Sequence, residues 1–178
     1  MDKIIDYVFI DTSVLMQESY FKSTSRIAQL FDLAGKGYIK ILLPIITKQE
    51  WIKHIKDCTY FKFDDVKRKL QLLGNLPDVL KFADDFEKLT STYANIVVDS
   101  IDTQISNGKV EVIDYSFFSD TLSDVFDKYF KKTKPFGSNG KSKEFPDAFV
   151  LAALEKYAIK NSIEQIIIFS NDKDMIQY

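Results

Sequence analysis

Ile4-Ile5-Asp6-Tyr7-Val8-Phe9-Ile10-Asp11-Thr12-Ser13 is the stretch that decides the fold. Its first seven residues are dominated by β-branched and aromatic side chains, which suit a buried strand, and the apolar run stops at three polar residues that read as a turn. Ile166-Ile167-Ile168-Phe169 repeats the pattern near the other end of the chain and breaks into Ser170-Asn171-Asp172-Lys173-Asp174. Two buried strands thus each deliver acids at their carboxyl ends. Weaker strand candidates lie between them, at residues 38–43, bounded by Gly37 and Pro44, and at residues 110–113, after Asn107-Gly108.

Helical periodicity fills the gaps. Residues 25–34 and a segment opening near Thr47 come first, the latter with Thr47-Lys48-Gln49-Glu50 matching a capping box. Between residues 77 and 105 the apolar positions recur at helical spacing until Asn107-Gly108 supplies a stop, and residues 120–131 form a shorter amphipathic stretch. Pro146, at a first-turn position, opens a last helix through Tyr157. Strands alternating with helices predict an α/β domain on a parallel sheet.

Composition narrows the chemistry. The 178 residues are 46% hydrophobic, which suits one globular domain, and 26 acids against 24 bases leave a net charge of -2, so no global field draws the chain to nucleic acid or membrane. Cys58 is the only cysteine and His54 the only histidine, which removes the raw material of disulfides, multi-Cys zinc sites and most Ser-His-Asp schemes. Glu50 and His54 share a helix face at i, i+4, but no further soft or imidazole ligand accompanies them. The longest uncharged stretch, Leu89 to Val98, is far short of the ~20 residues of a membrane span, and Asp2 and Asp6 interrupt any secretory leader. A cytoplasmic, reducing setting is expected, with the chemistry falling to carboxylates.

Four acids stand where that chemistry would sit. Asp11 and Asp172 follow strand ends, and ligands of open parallel sheets bind beyond those ends. Asp147 follows Pro146 at a helix start and Glu50 lies early in another helix. Each has a plain structural reading as a cap, a turn former or a helix-dipole partner. The set of four is more informative than any member. Hard oxygen ligands suit Mg²⁺ or Mn²⁺, and clustered carboxylates repel one another until a cation joins them.

Val8-Phe9-Ile10-Asp11-Thr12-Ser13, the early-helix Glu50, Phe145-Pro146-Asp147-Ala148 and Phe169-Ser170-Asn171-Asp172-Lys173-Asp174-Met175 together resemble, in that order, a PIN domain. The resemblance spans nearly the whole chain and implies a three-layer α/β/α architecture around a central, mostly parallel twisted sheet. It implies a divalent-metal-dependent endoribonuclease that hydrolyses phosphodiester bonds and leaves a 5′ phosphate and a 3′ hydroxyl. Carried over residue by residue, Asp11, Glu50, Asp147 and Asp172 become catalytic metal ligands for Mg²⁺ or Mn²⁺, with Asp174, Ser13 and Ser170 auxiliary. The partner implied is nucleic acid, with RNA favoured, and a homodimer or an inhibitory protein partner is also admitted. Residues from about 60 to 108 exceed a minimal PIN domain and are expected to form an added helical insertion within a single domain spanning 1–178. The end at Tyr178, directly after the last acidic motif, leaves two readings, a shortened sheet or a piece of a longer protein.

From Lys128 to Lys143 there are six lysines and no acid. Lys132, Lys134, Lys141 and Lys143 are the expected contacts to a phosphate backbone, with Phe136 available to stack on a base; the competing reading is a solvated surface loop. Two other functions compete with the nuclease. Asp11-Thr12-Ser13-Val14 also resembles the opening motif of HAD-type phosphatases, although that motif wants a second Asp where Ser13 stands. A catalytically weak PIN-like module that binds RNA or protein is the non-enzyme alternative.

Overall fold

The computed structural model describes residues 6–17, 25–72, 77–136, 144–172 and 175. Its chain order is β1 (Asp6–Ile10), α1 (Thr12–Gln17), α2 (Arg26–Gly35), β2 (Ile39–Pro44), α3 (Ile45–Gln71), α4 (Pro77–Ser106), β3 (Val110–Ile113), α5 (Ser116–Ser119), α6 (Leu122–Lys131), α7 (Phe145–Lys160) and β4 (Ile166–Phe169). The chain divides into two compact units, Met1–Gln49 with Gln104–Tyr178, and Glu50–Thr103.

In the first unit the four strands form one parallel sheet in the order β3-β2-β1-β4, as the alternation of strands and helices predicts. Neighbouring residues along a strand face opposite sides, and the register extends that alternation across the sheet: Phe9 lies beside Leu42 on β2 and Ile168 on β4. Phe9, Leu42 and Ile113 pack on one face with Val150, Leu151 and Leu154 of α7. Val8, Ile10, Ile41 and Leu43 are buried on the other face, where α2 lies against β2 and contributes the buried Ile27, Phe31 and Ala34. Helix layers on both faces make the three-layer α/β/α arrangement, and each fully buried Ile, Leu or Phe contributes about 1.5–3 kcal/mol of transfer free energy.

The helix stops follow the sequence chemistry. Gly108 takes a positive φ of 70° at the end of α4, where its N–H reaches the Ile105 carbonyl at 2.9 Å and Lys109 N–H reaches that of Gln104 at 3.2 Å. One start does not. Helix α3 begins at Ile45, directly after β2, so Thr47 lies inside its first turn with 1% exposure and the expected capping box is not formed. The apolar Ile45 and Ile46 pack on the sheet core, and their burial carries the helix past the local capping signal.

The second unit consists of most of α3 and of α4. Trp51, Ile55, Ala94 and Ile101 are buried, and the Phe63 and Tyr93 rings lie 6.3 Å apart. Arg68 pairs with Asp64, and Lys69 with Asp65 at 2.7 Å, both at i, i+4 on the exposed face of α3. Among the described residues no helix is long and apolar enough to cross a membrane.

Candidate functional site

The strand order locates the crevice. From β1 the chain moves outward through β2 and β3, then returns to place β4 on the other side of β1. The topology therefore reverses between β1 and β4, and in open parallel sheets the cleft opens beyond the carboxyl ends of such a pair. Asp11 and Ser170 are the first residues past those ends. Ile10 pairs with Phe169, and Asp11 N–H donates to the Phe169 carbonyl at 2.9 Å, so the two exits leave the sheet side by side.

Asp11 is 8% exposed and does two jobs there. The expected turn at 11–13 is in fact the start of α1: the Asp11 carbonyl accepts from Val14 N–H at 3.1 Å and Leu15 N–H at 3.3 Å, and Oδ2 accepts from Ser13 N–H at 3.3 Å. The carboxylate thus caps the helix. Oδ2 also accepts from the Ser13 hydroxyl and, at 2.9 Å, from the Ser170 hydroxyl.

A comparison inside the molecule separates capping from the rest. Asp114 follows β3 as Asp11 follows β1, and in Asp114-Tyr115-Ser116 its Oδ1 accepts from Ser116 N–H at 2.8 Å and the Ser116 hydroxyl at 2.5 Å. These bonds, the hydroxyl first, hold the Asp114 carboxyl below its ordinary pKa. An Asp-x-Ser at a strand exit is by itself a local turn device. What sets Asp11 apart is the additional donor, Ser170, from the exit of β4 across the switch point.

Ser170 extends the network, accepting Asp172 N–H at 2.9 Å while it donates to Asp11. The backbone of Asp172 is thereby held one hydroxyl away from the Asp11 carboxylate. Asn171 completes the seam: its N–H donates to Ser13 Oγ at 3.1 Å, and its side-chain amide to the Ser13 carbonyl at 3.3 Å and to Gln17 Oε1 at 3.0 Å. Asn171 and Gln17 are thus further members of this network that the sequence pattern does not single out as site residues. The signal for Asn171 was its place in an uninterrupted polar strand exit, where Asn commonly bonds local backbone; Gln17 had none.

Asp147 lies in the first turn of α7, half-buried, after Pro146. Helix α7 precedes β4, which runs parallel to β1, so α7 runs against the strands and its first turn stands at their carboxyl end. Asp11, Asp147 and Asp172 thus share one end of the sheet. Glu50, the sixth residue of α3, is half-buried and opens the second unit. Asp174, Lys141 and Lys143 lie outside the described residues. Among the described residues no group of three or more His, Cys, Asp or Glu side chains stands close enough to hold a metal ion.

The basic stretch is more structural than its composition suggests. Lys132 is exposed and closes α6 in the left-handed region (φ 54°), and Lys134 is exposed beside Pro135. Phe136 is 1% exposed, packed edge-on to Tyr129 with ring centroids 5.3 Å apart and against Phe145 at 4.9 Å. The expectation that it stacks on a base is therefore corrected. Val125, Ala148 and Ala152 complete a small core around it, and burial among rings outweighs presentation to solvent.

With this geometry in hand, comparison with known families gives one finding: a family model described as a PIN domain matches residues 8–175. No curated protein and no solved structure gives a significant match.

Proposed function

The chain belongs to the PIN-domain family, a family of nuclease type, and from that premise we propose that it is a divalent-metal-dependent endoribonuclease. Asp11, Glu50, Asp147 and Asp172 are its metal-binding and catalytic acids, with Asp174, Ser13 and Ser170 auxiliary. The observation that carries the proposal is the convergence on Asp11 Oδ2 of Ser13 from α1 and Ser170 from the exit of β4 at the topological switch point. A cap needs only the first of these.

The donor set fits a hard cation, because carboxylate and hydroxyl oxygens at one end of the sheet match Mg²⁺ or Mn²⁺. Such an ion supplies an acidified water and neutralises charge on the phosphodiester. The protein's own residues perform the rest. Asp11 is oriented by two hydroxyls before any ligand arrives, and such fixed orientation saves reorganisation during the reaction. Asp172 is brought to the same edge through its N–H on Ser170. Lys132, Lys134, Lys141 and Lys143 are the proposed phosphate contacts, adding affinity without sequence preference.

A second reading, a PIN-like module that binds RNA or protein with weak catalysis, draws on the lack of a three-carboxylate group among the described residues. Titration with Mn²⁺ followed by an assay on labelled single-stranded RNA and DNA separates the two. The nuclease reading expects Mn²⁺ to raise the melting temperature and RNA to be cut with 5′-phosphate ends, both effects lost in Asp11→Asn. RNA binding with no cleavage and no Mn²⁺ stabilisation in the wild type establishes the binding module instead.

A further inference from the structure

Beside the Asp11 network lies a cleft of about 500 Å³, bounded by α1, α2 and the exit of β4. Its volume is in the range of sites that hold small molecules. Leu30 and Leu33 of α2 form an apolar wall over the buried Ile27, Phe169 is 38% exposed, Gln17 and Gln29 bring amide side chains, and Arg26 adds a cation. Asn171 and Ser170 line the cleft as well, and they are the residues that bond to Ser13 and Asp11.

We propose that this cleft is a nucleobase subsite that sets which base flanks the scissile phosphate, an inference that rests on the nuclease reading of the adjoining acids. Three features carry it. An apolar wall together with an aromatic ring suits a flat heterocycle, whose faces gain from stacking and apolar contact. Side-chain amides carry both a donor and an acceptor, and that pairing reads the edge of a base, while the Arg26 guanidinium in the same lining suits the phosphate of a nucleotide. The cleft is also continuous with the candidate site: Gln17 Oε1 accepts from Asn171, which donates to Ser13, which in turn donates to Asp11. A nucleotide with its base in the cleft therefore lies beside the Asp11 network. Filling the cleft also presses on the residues that orient Asp11.

The test uses the full chain and four ribonucleoside 5′-monophosphates, titrated in EDTA while the methyl resonances of Ile27, Leu30 and Leu33 are followed. Saturable shifts on those methyls are expected, with one base bound roughly tenfold tighter than the weakest. Leu33→Trp, at a partly exposed position, fills the cleft and should remove the shifts; Gln29→Ala, at the surface of α2, should keep binding but level the preference. Absent shifts, or shifts unchanged in Leu33→Trp, overturn the subsite. Cleavage of RNAs varied at one base is measured in parallel with Mn²⁺. Wild-type cleavage whose base preference survives both variants overturns the subsite and leaves the nuclease standing. Base-selective binding lost in Leu33→Trp, in a chain that cuts no RNA, overturns the nuclease and keeps the cleft as a nucleotide site.

Discussion

The Ser170 hydroxyl donates to Asp11 Oδ2 at 2.9 Å, joining two strand exits that lie 159 positions apart in the sequence. Neither residue's local role requires the bond. On the proposed nuclease reading, Ser170→Ala should leave the far-ultraviolet spectrum unchanged, lower kcat for RNA about 10- to 100-fold, and leave KM close to wild type, as is common for partners that orient a metal ligand. A KM effect with kcat retained would assign Ser170 to substrate binding.

Asp11 both caps α1 and orients toward the crevice, so the two roles respond differently to substitution. Asp11→Ala removes the cap and leaves the two serine hydroxyls without their acceptor, and should cost about 1–2 kcal/mol of stability. Asp11→Asn keeps an acceptor oxygen for them and should stay within about 1 kcal/mol of wild type while losing cleavage and Mn²⁺ stabilisation. Urea melts of both variants, with and without Mn²⁺, check this pair of outcomes.

Phe136 belongs to a buried aromatic cluster, so its substitution is read in stability. Phe136→Ala should cost about 3–5 kcal/mol, with Phe136→Leu recovering a large part. Calorimetry of both variants is the measurement. RNA affinity in Phe136→Leu should match wild type, and a specific loss of binding there would revive a stacking role.

Lys132 occupies the left-handed region, where a side chain costs about 1–2 kcal/mol that glycine does not incur. Lys132→Gly should raise the melting temperature by about 2–4 °C. If the lysine also contacts a phosphate, the log-log salt dependence of RNA binding should flatten by nearly one unit in the same variant. An unchanged slope would return Lys132 to a solvated cap.

Tyr157, 6% exposed, donates its hydroxyl to Glu111, which also lies 3.6 Å from Lys40. Burial first, and the hydrogen bond to Glu111 second, push the phenol well above its ordinary value of 10.0. The neutral phenol is favoured in the folded protein, so this stabilisation is complete below about pH 10 and is lost as pH rises above it toward the raised folded value. Tyr157→Phe should cost about 1 kcal/mol at neutral pH and make the urea midpoint fall less steeply between pH 9 and about 11.

All four strands were legible in the chain as short runs rich in β-branched residues, and the burial of β1 and β2 between helix layers suits that composition; β4, expected to be buried like β1, is an edge strand with Ile167 and Phe169 exposed, because strand order rather than composition decides which strand lies at the edge. The stop of α4 at Gly108 was legible for an equally local reason, since only a residue without Cβ enters a positive φ freely. Asp11, Asp147 and Asp172 could be picked out as acids at strand or helix ends, the places where open sheets gather function. Local chemistry could not separate Asp11 from Asp114, both followed by x-Ser and both accepting from that serine's N–H and hydroxyl. The strand order made that distinction, by returning β4 to the side of β1 and supplying Ser170 from a distant segment. Tertiary packing likewise moved Phe136 into a core and started α3 two residues before its apparent capping box, since burying apolar side chains outweighs a cap or a loop preference. The sequence by itself determined which segments are strands and helices and which acids stand at their ends, all consequences of neighbours along the chain. Which exits adjoin, which aromatic is hidden and where a cleft opens beside Asp11 were decided only by the fold, because those contacts join residues that no local pattern relates.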